Sequence, residues 1–211
     1  MPVAHLRYDI RGDTMNNYEL SRDRAQDYFL NFDQQAIIRR WNLPHDDNYL
    51  YLTFFGKPYA VCRKTGKMTC NGIAAGFKET LTIFDLLCQS KEHTALAGRF
   101  APVNSLRGAA KGAGVETDFY SRTAEVFDRA PEAFAAACLA LGGTPVPMGD
   151  MGFRFTMFRD LNVILKFYHK DEDFPASVTL LWDENLLDFI FYETVFYAAG
   201  FLLKTIETQM K

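Results

Sequence analysis

Six carboxylates in the second half of the chain could do chemistry. Asp150 stands before an alternating apolar run, and Asp171 and Glu172 open the acidic stretch "DEDFP" with Asp173. Asp183 closes the next run, and Glu193 follows ten residues later. Oxygen ligands of this kind, gathered from several strand ends, suit a hard cation such as Mg²⁺ or Ca²⁺, and a buried member could move a proton. The plainer alternative is a solvated turn, because a loop between strands must be polar and Pro175 fixes its backbone. Glu193 has a plain alternative too: a carboxylate near a helix start is favoured by the helix dipole and by free backbone donors.

A second group is cationic. The stretch "NSLRGAAKGAGVETD" sets Arg107 and Lys111 among Gly108, Gly112 and Gly114, ahead of a helix that Thr117 would cap. Two cations and open backbone amides can hold an anion, although the spacing is not that of a P-loop; a mobile surface loop is the other reading. His5, His45, His93 and His169 form no H-E-x-x-H or H-x-H pattern, and His169 beside Asp171 is either a ligand or an exposed strand-end residue. Cys62, Cys70, Cys88 and Cys138 are separated by 7, 17 and 49 residues, so no close pair can present two thiolates to one metal. Four reduced thiols are expected, with a dispersed Cys/His metal site as the alternative, and these residues name no particular cofactor. No Ser or Cys nucleophile motif is present.

The elements that must position these residues follow from periodicity. Apolar residues at three- and four-residue steps predict one long helix over 17–42. Strand alternation in "YLYLTFF", "KPYAVCR" and "MTC" predicts a small antiparallel meander over 49–70. A helix over 78–90 and two more over 117–129 and 131–141 come next, the last opened by Pro131 and closed by Gly142 and Gly143. Between them, 92–116 reads as a long irregular loop, and 1–16 as an N-terminal extension. A second antiparallel meander is expected over 152–183, then a long C-terminal helix over 191–209 lying across a sheet. The class is therefore α+β: two antiparallel β-meanders with helices packed between, in a single domain spanning 1–211.

With 211 residues, nearly half of them apolar, the chain can bury a large core. Its 23 basic and 26 acidic residues leave a net charge of −3, which is no footprint for a phosphate backbone, so nucleic acid is not an expected partner. No segment is long and apolar enough for an ordinary membrane span, and the N-terminus lacks a signal-peptide core, which points to the cytoplasm. The 19 phenylalanines exceed what the core stripes need. Phe153, Phe155, Phe167, Phe189 and Phe191 fall on or beside the second meander, where they would line a ligand cleft unless a helix or a second copy of the chain covers them.

The ordered stretches "YLTFFGKPY", "LTIFDLLCQ", "LAGRFAPVNSL", "FAAACLALGG", "GDMGFRFTMFRDLNVIL", "DEDFPASVTLLWDEN" and "YETVFYAAGFLL" resemble domain of unknown function family 3786 of anaerobic bacteria and archaea, over nearly the whole chain from Tyr18. The resemblance implies anaerobic one-carbon or corrinoid-linked metabolism, in a domain that sometimes follows an iron–sulfur module. Lacking cluster-spaced cysteines, this chain would need a separate partner for electron transfer. The expectation is a cytoplasmic binding or accessory protein for a small ligand or a metalloenzyme partner, with a homodimer open. The rivals are a metal-dependent or carboxylate-driven enzyme using Asp150, Asp171, Asp183 and Glu193, and a purely structural interaction domain.

Overall fold

The structure, a computed structural model, describes residues 17–92, 94–109 and 120–211. The expected first meander forms from β1 (Tyr49–Phe54), β2 (Lys57–Cys62) and β3 (Met68–Cys70), extended by a two-residue β4 (Ile73–Ala74) into an antiparallel sheet in sequence order. In β1 the alternation is complete: Leu50, Leu52 and Phe54 are buried while Tyr49, Tyr51 and Thr53 face outward. The β1–β2 bend places both Phe55 and Gly56 at positive φ, 45° and 72°, which matches the right-handed twist of the flanking strands. Such a φ is unusual for phenylalanine. Burial of the ring and a 2.9 Å bond from its N–H to the Met157 carbonyl of the second sheet hold it there.

That second sheet contains β7 (Met151–Phe158), β8 (Leu161–Tyr168) and β9 (Ser177–Asp183), as the alternation predicts, with two short strands at its edges. These are β5 (Phe100–Pro102) and β6 (Thr144–Pro145), giving the antiparallel order β5-β9-β8-β7-β6. The predicted irregular loop over 92–116 is thus interrupted: residues 100–102 pair with 181–183, and Val103–Ser105 forms a 3₁₀ turn.

The predicted helix over 17–42 is two helices, α1 (Asn17–Asn31) and α2 (Gln34–Trp41). Asp33 breaks it, because its carboxylate accepts from the N–H groups of Gln35 and Ala36 at 2.9 and 3.1 Å and so caps a new start. The remaining helices are α3 (Phe77–Cys88), α4 (Ser121–Arg129), α5 (Pro131–Ala140) and α6 (Tyr192–Gln209). α6 lies chiefly against α3 and α5 rather than across a sheet. It reaches β1 through Phe201, whose ring is 5.3 Å from that of Phe54. The class is α+β, and the buried side chains of both sheets and all six helices join in one cluster. No helix among the described residues is long and apolar enough to cross a membrane.

Candidate functional site

Antiparallel order decides which acids meet. The start of β7 and the end of β8 are adjacent, since Met151 pairs with Phe167, so Asp150 lies beside His169. The Asp150 N–H donates to the Phe167 carbonyl at 2.9 Å, and its carboxylate accepts from the His169 N–H at 2.8 Å. The crossing is close enough to require glycine before it. Gly149 has φ +68°, and a Cβ there would come 2.5 Å from the Phe167 oxygen. After His169 the chain turns on Asp171, whose carboxylate accepts from the N–H groups of Asp173 and Phe174 at 2.9 and 2.7 Å.

The His169 ring is fixed from two sides. Phe167 meets it edge-on at 4.9 Å, and Nδ1 lies 2.8 Å from a carboxylate oxygen of Asp128, in the last turn of α4. An ionised carboxylate only accepts, so Nδ1 is the protonated nitrogen, and in the neutral ring Nε2 keeps its lone pair. Asp150, His169 and Asp171 line one cleft of about 690 Å³, whose remaining wall includes Phe174, Val178 and Leu180. That volume suits a small organic ligand. Phe174 stands 69% exposed at this cleft.

The other predicted acids lie elsewhere. β9 runs from Ser177, opposite Tyr168, to Asp183, opposite none of the cleft residues, and its six steps carry Asp183 about 20 Å along the strand. There Asp183 is buried and accepts from the N–H groups of Ala97, Gly98 and Asn185 at 3.0, 2.8 and 2.9 Å. It anchors a loop rather than a cation. Glu193 is exposed in the first turn of α6, and Glu172 is exposed in the turn after Asp171. The carboxylate that supports the start of α6 is Asp85 of α3, which accepts from the Phe191 N–H at 3.3 Å and the Thr194 hydroxyl at 2.5 Å. Burial pushes the Asp85 carboxyl above the usual range against those two bonds, and the nearby Glu193 adds to the rise. The oxygen cage, one of the two readings of these acids, is therefore not assembled: among the described residues no three His, Cys, Asp or Glu side chains could hold one metal ion.

The cationic and aromatic groups are likewise committed. Arg107 is paired with Asp188, which Lys91 also holds at 2.5 Å. Burial works to raise the Asp188 carboxyl, and the two cations outweigh it and keep the group below its ordinary range. Lys111, Gly112 and Gly114 lie outside the described residues. Phe153, Phe155 and Phe167 do not line the cleft: α4 and α5 cover their sheet face, and the Phe134 ring of α5 lies 5.7 and 5.4 Å from those of Phe153 and Phe167. Phe189 is buried beside Trp41 at 6.2 Å, and Phe191 is exposed at the α6 cap. None of the four cysteines is in a disulfide, and Cys88 and Cys138 are buried.

A family model described as "Domain of unknown function (DUF3786)" matches residues 33–205. This chain belongs to that family. The matched DUF3786 span begins at the Asp33 cap, ends inside α6 and contains every residue of the cleft. No curated protein and no solved structure matches the chain. Within the DUF3786 span, Asp128 is the site residue that sequence reading passes over. One signal was present, because a carboxylate in the last turn of a helix opposes the dipole there and implies a compensating partner.

Proposed function

We propose that this DUF3786 chain is a binding protein whose small-molecule site is the cleft at the β7–β8 end of the second sheet. The observation that supports it is the joint lining of one volume by Asp150, His169 and Asp171 on one side and Phe174, Val178 and Leu180 on the other. Such a cleft favours a ligand with a cationic or hydrogen-bond-donating end and an apolar body. The setting we propose is cytoplasmic, beside a metalloenzyme in an anaerobe; four unpaired thiols agree with a reducing compartment.

Native mass spectrometry of the chain purified without oxygen tests the reading. A bound small molecule is expected in the wild type and not in Ser177→Trp, which fills the cleft from an exposed strand-end position. Wild type without any adduct, and without thermal stabilisation by a metabolite panel, would count against it. The His169–Asp128 pair favours a second reading, a general base oriented by a carboxylate. On that reading His169→Gln retains the bound molecule but no longer transforms it.

A further inference from the structure

A second cleft, of about 650 Å³, opens between the β1–β2 bend, the start of α3 and one face of α6, and shares no lining residue with the first. Three lysines from three elements border it: Lys57 at the start of β2, Lys78 in the first turn of α3 and Lys204 on α6. Among the described residues neither Lys57 nor Lys78 has a carboxylate in ion-pair range, while Lys204 is 3.4 Å from Glu207. Glu79 is the one carboxylate among the lining residues, and it accepts from the Gly76 N–H at 2.7 Å at the start of α3. With Lys204 paired to Glu207 and Glu79 set against the two unpaired lysines, the cleft keeps an excess of one positive charge.

The α6 wall is cut to fit. Tyr197, Gly200, Phe201 and Lys204 recur at three- and four-residue steps, so they share one face. A glycine inside a helix is less favourable than alanine, and here the missing side chain makes room for a cation: a Cβ at Gly200 would lie 2.5 Å from the Lys78 ammonium nitrogen. Aromatic rings complete the wall and are held in place. Phe77 packs edge-on against Tyr197 at 5.3 Å, and Phe201 stacks on Phe55 at 5.9 Å with the Lys57 ammonium 5.4 Å from its centre.

We propose that this cleft binds an organic phosphate carrying a planar ring, of nucleotide size. Ammonium groups act as compact point charges suited to a tetrahedral, multiply charged phosphate, whereas planar carboxylates are matched by the fork of arginine, which is missing among the described lining residues. The rings of Tyr197 and Phe201 supply the apolar surface for the planar part. The inference does not rest on the His169 cleft.

Isothermal titration calorimetry of the full chain with ADP tests it, with adenosine and inorganic phosphate as separate arms. ADP is expected to bind with a dissociation constant below about 1 mM, and adenosine and inorganic phosphate each at least about tenfold more weakly, since each has half of the recognition. The double variant Lys57→Ala/Lys78→Ala is expected to weaken ADP by at least about tenfold and to flatten its salt dependence. Gly200→Ala, which displaces Lys78 without removing a charge, should weaken ADP in the same direction. Both lysines are surface groups outside the core, so unchanged circular dichroism and melting separate this loss from unfolding. Binding of ADP that the double variant leaves intact, or no ADP binding by the wild type up to about 1 mM, would overturn the proposal. Inorganic phosphate binding as tightly as ADP would overturn its planar-ring part.

Discussion

Replacing Asp183 by alanine is the severest single test of how this fold is held. The carboxylate is only 3% exposed and accepts three backbone N–H bonds, from Ala97, Gly98 and Asn185. Charge-assisted bonds contribute roughly 1.5 to 3 kcal/mol each, and three on one group are not additive. Water can reach part of the vacated site and satisfy some of the stranded donors, which brings the expected loss to about 3 to 5 kcal/mol. With a urea slope of about 2.5 kcal/mol per molar for a chain of this size, the unfolding midpoint should fall by about 1.5 M. The slope itself should not change. Asp183→Asn keeps one accepting oxygen but turns an NH₂ group toward a backbone donor, so it should recover less than half of the loss. Amide exchange offers a local check: the Ala97 and Gly98 amides should lose protection well before those of β8. An alanine variant within about 0.5 kcal/mol of wild type would show that the three bonds carry little net energy and that the 95–98 segment is held otherwise.

Three further outcomes are expected. The Asp85 carboxyl titrates above its ordinary 3.8 in the folded chain because of burial. The folded state therefore holds its proton more tightly than the unfolded state, and stability falls as pH rises from that value through the folded pKa. Asp85→Asn should melt higher than wild type at neutral pH, with the gap closing toward pH 3.8; a gap independent of pH would refute the assignment. Gly149→Ala should lose about 2 kcal/mol or more, read by urea unfolding, since the new Cβ meets the Phe167 oxygen at positive φ. Phe134→Ala should lose about 3 to 5 kcal/mol in the same assay, because its ring is fully buried and stacks on Phe127 at 4.3 Å.

What could be read from the sequence was whatever one element decides alone. Leu50, Leu52 and Phe54 declare a half-buried strand by alternation, and Pro131 and Gly142 bracket a helix without reference to anything distant. The break at Asp33 was harder, because the apolar stripe continues through it and only the side chain's choice to cap two amides ends α1. β5 was out of reach: three residues ending in a proline become a strand only through partners some eighty positions later. The site divides along the same line. That Asp150 and Asp171 should lie at the same end of the sheet follows from antiparallel order, in which the start of one strand adjoins the end of the next; the same rule sends Asp183 to the opposite end. The phenylalanines could be assigned to a sheet face but not to what covers it, since that depended on how α4 and α5 return.

The borders of the two sheets have a consequence for how this protein can meet others. The five-stranded sheet stops at β5 and β6, which are three and two residues long and end in Pro102 and Pro145, so little backbone is left there to pair with another chain. The four-stranded sheet stops on one side at the two-residue β4. On its other side the longer β1 is overlaid by its own preceding segment, through Tyr51 N–H to the Pro44 carbonyl at 2.8 Å and Asp46 N–H to the Tyr49 carbonyl at 3.0 Å. Strand-by-strand growth, the route by which exposed edges recruit foreign chains or copies of themselves into fibrils, is thus hindered at the three short border strands and along the first half of β1. Among the described residues these borders offer another chain little backbone, which puts the weight of recognition there on side chains.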